Sequence, residues 1–205
     1  MRVCADDDFT WTGVIFLDAL VADALARFRD DAAGVFAGTD FLKALELQAE
    51  KPDFTGKTVA VIGGGNTAMD CCRTSRRLGA EKVYIIYRRT EKEMPGGAHD
   101  RELAREEGAK YSFLTQPVRF IAGEDGRLAQ VECIRMELGE PDQKGRRKPV
   151  PVEGSNFIVE ADTAVLALGY WPDPVIGETT PDLKTHKYGL IIADKETGAT
   201  SRPGV

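Results

Sequence analysis

The chain has 205 residues, 42% hydrophobic and 29% charged, with a formal net charge of −6 and a pI of about 5.1. That is one domain, or one and a half, long enough to bury a core without disulfides or a structural metal. The composition argues against global disorder, no run approaches the ~18 consecutive apolar residues of a membrane span, and the acidic balance argues against nucleic acid as a partner while leaving room for a phosphate-bearing small ligand.

Residues 1–13 show no clear periodicity. From Val14 to Phe28 apolar residues recur at helical spacing (Leu17, Leu20, Val21, Ala24, Leu25, Phe28), which predicts an amphipathic helix. Thr39-Asp40 is placed to cap a second helix over Phe41–Ala49, ended by Pro52-Asp53. The pattern sharpens after Gly56. Thr58–Ile62 is a short β-branched apolar run, as expected of a parallel strand buried on both faces. Gly63-Gly64-Gly65 follows at once, and Thr67 to Leu78 reads as a helix stopped by Gly79. Val83–Tyr87 is a second buried strand, which completes a βαβ unit of about 30 residues. A charged helix over Ala98–Glu107 and a third strand over Lys110–Leu114 extend it.

The character then changes. Leu128 to Leu138 alternates apolar and charged residues, the signature of a half-exposed antiparallel strand. Residues 139–155 are rich in Gly, Pro and charge and read as one long turn, with Phe157–Val159 pairing back as a hairpin. Thr163–Leu168 is another buried run, ending at Gly169. The expected fold is therefore α/β: a Rossmann-like NAD(P)-binding βαβ domain with an antiparallel hairpin or meander excursion, in three layers. The expected division is a helical entry segment over 1–50, a nucleotide-binding domain over 51–170 and a C-terminal segment over 171–205.

The four cysteines, Cys4, Cys71, Cys72 and Cys133, form no CxxC pair, and their spacing fits neither zinc nor an iron–sulfur cluster. They read as reduced, mostly buried thiols of a cytoplasmic protein. His99 and His186 lack partner motifs, and no Ser/His/Asp set or HExxH run is present. No metal site and no catalytic acid–base residue is predicted.

Two constellations carry chemistry. Gly63-x-Gly65-x-x-Ala68 stands between a buried strand and a helix, the context that gives such a fingerprint its meaning. The first glycine permits the tight turn, the second lets the backbone approach a pyrophosphate, and the small third residue lets helix and strand pack closely. A pyrophosphate would then sit on free N–H groups at the helix N-terminus, with Gly64, Asn66 and Thr67 beside it. A tight strand-to-helix turn without a ligand is the plainer alternative. The second constellation is Arg88-Arg89. An NAD site places a carboxylate at the end of the second strand; here two guanidiniums stand there, suited to fork onto a 2′-phosphate. This favours NADPH over NADH, against a solvated basic turn.

Val61–Asp70, Tyr87-Arg88-Arg89, Met94-Pro95, Leu138–Asp142, Gly145-Arg146-Arg147 and Pro149–Gly154 resemble the NADPH-binding domain of the small (beta) subunit of glutamate synthase and related FAD-dependent pyridine nucleotide oxidoreductases. Gly34–Leu42 and Ala161–Gly169 resemble the segments that enter this domain and lead back to a flavin domain. The resemblance implies hydride passing from NADPH to FAD, Gly169 near the nicotinamide, and a flavin domain or the large glutamate synthase subunit as partner. Gly96 departs from the family's usual alanine after Met-Pro. The first 50 residues carry no second fingerprint, so the chain reads as a fragment that does not hold FAD alone. A non-catalytic nucleotide-binding or interaction module, and an NADPH-dependent reductase of another acceptor, remain alternatives.

Overall fold

A computed structural model of the chain describes residues 33–47, 51–143, 145, 147–169, 175–186 and 189–205. The helix predicted over Val14–Phe28, and Cys4, lie outside the described residues. Strand β1 (Val35–Ala37) leads into helix α1 (Gly38–Leu47). Next come β2 (Thr58–Ile62), α2 (Asn66–Arg77), β3 (Lys82–Ile86), a 3₁₀ turn (Glu91–Glu93), α3 (Ala98–Glu106) and β4 (Lys110–Ser112). The antiparallel strands β5 (Thr115–Ala122), β6 (Leu128–Pro141), β7 (Arg147–Pro151) and β8 (Phe157–Glu160) follow. The chain then returns through β9 (Thr163–Leu166) and ends beyond a short helix, α4 (Val175–Thr179).

β1, β9, β2, β3 and β4 form one all-parallel sheet in that order, whereas β5, β6, β7 and β8 form an antiparallel sheet. The pleat of β2 sorts its residues between two cores. Val59 and Val61 join Val83, Ile85, Val165 and the inner faces of the helices (Phe41, Leu45, Met69, Cys71, Cys72). Ala60 and Ile62 join Ile86, Ala164 and Leu166 against Phe120, Leu128, Val131 and Cys133 of the antiparallel sheet. Helices, parallel sheet and antiparallel sheet are thus three layers, as the sequence predicts. Each fully buried Val, Ile or Leu contributes roughly 1.5–3 kcal/mol of burial. Cys71, Cys72 and Cys133 are free and buried, and burial pushes all three thiols up to about 12.

Two sequence expectations need correction, and two strands are not foreseen. α1 begins at Gly38, so Thr39 and Asp40 lie inside its first turn and do not cap it. Residues 139–155 are not one long turn. β6 runs on to Pro141, and β7 returns antiparallel to it from Arg147. Gly139 lies within β6, and Pro149 and Pro151 lie on β7, an edge strand, where proline is tolerated. β5 is not legible in the sequence: Pro117 stands within it, and the register shifts between Pro117 and Arg119 and again between Ile121 and Ala122. β1 comes from ahead of residue 51, yet it pairs with β9 in the parallel sheet.

α2 and α3 are braced at their C-terminal ends. Arg73 Nε and Arg77 Nη2 donate to Glu107 Oε1 at 2.7 and 2.9 Å. Arg76 donates to the main-chain oxygens of Glu107, Ala80 and Glu81. Burial opposes ionisation of Glu107, but the bonds from Arg73 and Arg77 outweigh it and hold the carboxyl below its ordinary range. A carboxyl lowered in the folded state stabilises above its unfolded value and loses that contribution as pH falls through its folded value. The native chain is therefore expected to melt above Glu107→Gln near neutral pH, with the gap closing as pH drops below about 4. Thermal melts across pH check this; a gap that persists unchanged into strong acid removes the carboxylate's role.

Candidate functional site

All five parallel strands run the same way, so their C-terminal ends share one edge. From β2 the chain proceeds outward to β3 and β4, whereas β9 and β1 fill the other side. The order therefore switches between β2 and β9, the place where open α/β sheets form a ligand crevice. That edge carries the predicted fingerprint residues: Gly63, Gly64 and Gly65 after β2, Asn66, Thr67 and Ala68 in the first turn of α2, Arg88 and Arg89 after β3, and Gly169 after β9.

The three glycines are not equivalent. Gly63 has φ +142°, and a Cβ there would stand 2.2 Å from the carbonyl oxygen of Ala167. It is what allows β2 and β9 to close on each other. A Cβ at Gly64 would meet the Tyr87 ring at 2.7 Å, so this residue seats the aromatic that follows β3. At Gly65 a Cβ would meet nothing within 4 Å, and its backbone is extended, with φ −87° and ψ 179°. The space in front of Gly65 is open, as a cradle for a pyrophosphate requires. Gly65 is the N-cap of α2 and supplies no side-chain cap. Among the described residues, nothing accepts from the N–H groups of Gly65, Asn66 and Thr67. These free donors, at the positive end of the helix dipole, fit an anion. Ala68 is fully buried, in keeping with close contact between α2 and the sheet.

One end of the Asn66 amide is already engaged within the chain. Its Oδ1 accepts from the Gly97 N–H at 2.9 Å, which leaves its Nδ2 as the donor for a ligand. The loop Met94–Gly97 lies on the glycine turn: the Gly96 N–H donates to Gly64 O at 2.9 Å. In the sequence this loop stands out only through the family resemblance, at Met94-Pro95 and Gly96. The adjacent pair Gly96-Gly97 is the one local signal of its close approach.

Arg88 is exposed and Arg89 half-buried, and among the described residues neither has a carboxylate partner. Arg89 Nε is buried and has no acceptor among the described residues, and an orphaned buried donor is costly unless something meets it. The nearby carboxylates are engaged elsewhere. Glu91 Oε1 lies 2.9 Å from Arg105 Nη2 and 3.9 Å from Arg101 Nε. Glu93 closes a capping box with Thr90, accepting from both its N–H and its hydroxyl, and these bonds hold the carboxyl below its ordinary range. Two cations therefore remain for an outside anion. Gly169 has φ +99° and is exposed, with open space around it, on the β9 side of the crevice. His99 is exposed. Among the described residues no cluster of His, Cys, Asp or Glu is suited to a metal, and no helix is long and apolar enough to cross a membrane.

Residues 28–205 match the family model described as pyridine nucleotide-disulphide oxidoreductase. A putative glutamate synthase [NADPH] small chain of Cereibacter sphaeroides is 40% identical over 91% of this chain and 48% of its own length. The glutamate synthase [NADPH] small chain of Escherichia coli (strain K12) is 40% identical over 80% of this chain and 37% of its own. The NADP(+)-dependent formate dehydrogenase subunit beta of Moorella thermoacetica is 44% identical over 84% of this chain and 24% of its own. The chain thus spans less than half the length of these relatives. Among solved structures, Mycobacterium tuberculosis FprA in complex with NADPH shares the fold at a TM-score of 0.60 and 20% identity, over 85% of this chain and half of that one.

The unequal glycines give a stability test. Gly63→Ala combines overpacking against Ala167 with a left-handed backbone and is expected to cost roughly 2–5 kcal/mol. Gly65→Ala is expected to stay within about 0.5 kcal/mol of the native chain. Urea denaturation of both variants checks this; equal losses would mean that the approach of β2 to β9 is not the constraint described.

Proposed function

The chain belongs to the pyridine nucleotide-disulphide oxidoreductase family, and from that premise we propose that its sheet edge binds NADPH and presents it to a flavin. The observation that carries this reading is the arginine pair at the end of β3. Arg88 and Arg89 have no carboxylate partner among the described residues, Arg89 Nε has no acceptor, and both follow a strand that adjoins the glycine turn. In an NAD site a carboxylate would receive the ribose hydroxyls there. A 2′-phosphate instead satisfies the guanidiniums through charge-assisted bonds.

In this reading the N–H groups of Gly65, Asn66 and Thr67 and the Asn66 Nδ2 hold the pyrophosphate. Gly63 and Ala68 keep strand and helix close, Gly64 seats Tyr87, and Gly169 borders the nicotinamide. The cofactor supplies the hydride chemistry; the protein supplies binding and orientation. The flavin acceptor, and a flavin domain or large subunit as partner, are part of the proposal. They rest on the family and on the small-chain relatives, of which this chain spans less than half.

Calorimetry with NADPH and NADH tests the site. NADPH is expected to bind about tenfold to a hundredfold more tightly, the equivalent of ~1.5–3 kcal/mol for charge-assisted contacts to a phosphate. Equal affinities overturn the role of Arg88 and Arg89. Gly65→Val is expected to abolish binding of both nucleotides while the circular dichroism spectrum stays native. A folded Gly65→Val chain that keeps its NADPH affinity removes the pyrophosphate assignment.

A further inference from the structure

The loop Met94–Gly97 is tied to the glycine turn from one side and to α3 from the other. The peptide group between Gly96 and Gly97 is held at both ends. Its N–H donates to Asn66 Oδ1 at 2.9 Å, and its carbonyl oxygen accepts from Arg101 Nη1 at 2.5 Å. Arg101 Nη1 also reaches Met94 O at 3.5 Å. The Arg101 side chain is only 18% exposed and is itself fixed: Glu91 lies 3.9 Å from its Nε, and the Tyr111 hydroxyl donates to its carbonyl at 2.8 Å.

We infer that Arg101 is a positioning residue for the dinucleotide site, acting through the 96–97 peptide on the side-chain amide of Asn66. A cation on the carbonyl oxygen polarises the peptide and strengthens its N–H as a donor. That donor fixes which end of the Asn66 amide faces the loop. With Oδ1 engaged, Nδ2 is turned out at the helix N-terminus beside the free N–H groups. Without Arg101 the loop loses the side-chain tie that α3 gives it, and the amide is free to present its oxygen, which repels a phosphate. Gly96 suits this arrangement, because a Cβ there would stand 3.0 Å from Gly64 O and press the loop away from the turn.

The inference rests on the dinucleotide reading, and the experiment separates the two. NADPH and NADH affinities are measured by calorimetry on the full chain and on Arg101→Met, Arg101→Lys, Asn66→Ala, the double variant Asn66→Ala/Arg101→Met, and Glu107→Gln as a control for lost stability alone. Arg101→Met is expected to weaken both nucleotides by the same factor, about tenfold, leaving the NADPH:NADH ratio native because the 2′-phosphate contacts are untouched. Arg101→Lys, which can still donate to Gly96 O, recovers part of the loss. The double variant binds no more weakly than Asn66→Ala, because both changes act on one amide. If Arg101→Met does not fold, the same comparison is made with Arg101→Leu. Native affinity in the folded Met or Leu variant, losses that multiply in the double variant, or an equal loss in Glu107→Gln overturns the role of Arg101 alone. A native chain that binds neither nucleotide overturns the dinucleotide reading and this inference with it.

Discussion

β2 has no face open to water. Val59 and Val61 point into the helices, Ala60 and Ile62 into the antiparallel sheet, and β3 and β9 take its two edges. Two-sided burial fixes the strand's register, because a slip of one residue would exchange both faces at once. The register in turn places Gly63 against Ala167 O, and a side chain there would force the two strands apart at the point where the crevice forms. Gly65, Arg88 and Gly169 take their places at the sheet edge because this pairing holds.

The electrostatics of that edge follow from which charges are already spoken for. Glu91 is drawn to Arg105 and Arg101, and Glu93 is folded back on Thr90. The carboxylates that follow β3 in sequence are therefore withheld from Arg88 and Arg89. Exposed ion pairs contribute little to stability. Their effect here is on availability: among the described residues no carboxylate pairs with the two guanidiniums at the tip of the strand, next to a helix N-terminus whose first N–H groups have no acceptor.

The antiparallel sheet contributes to the edge indirectly. It covers the second face of β2, β3 and β9 through Phe120, Leu128, Val131 and Cys133. It also joins the parallel sheet through Leu114, whose backbone is left-handed (φ 48°) and whose N–H donates to Arg89 O at 3.0 Å. A leucine in that conformation is strained by about 1–3 kcal/mol. The strained residue thus sits where the main chain of Arg89 is anchored.

The sequence alone determines the βαβ unit, because an uninterrupted β-branched run, a glycine turn and a 3.6-residue pattern are local signals with one common solution. It also shows Gly63–Ala68 and Arg88-Arg89, since these depend on residue type at fixed spacing. It does not reveal β1, whose three residues carry no period, or β5, whose alternation is broken by Pro117 and two register shifts. It mistakes 139–155 for a turn, because proline on an edge strand and glycine within its neighbour look the same as proline and glycine in a loop. Only the tertiary structure decides that Met94–Gly97 lies on the glycine turn, that Arg101 reaches it from α3, and that the acids after β3 are engaged elsewhere. Those facts join residues on separate elements, and their geometry exists only once the sheet brings those elements to one edge.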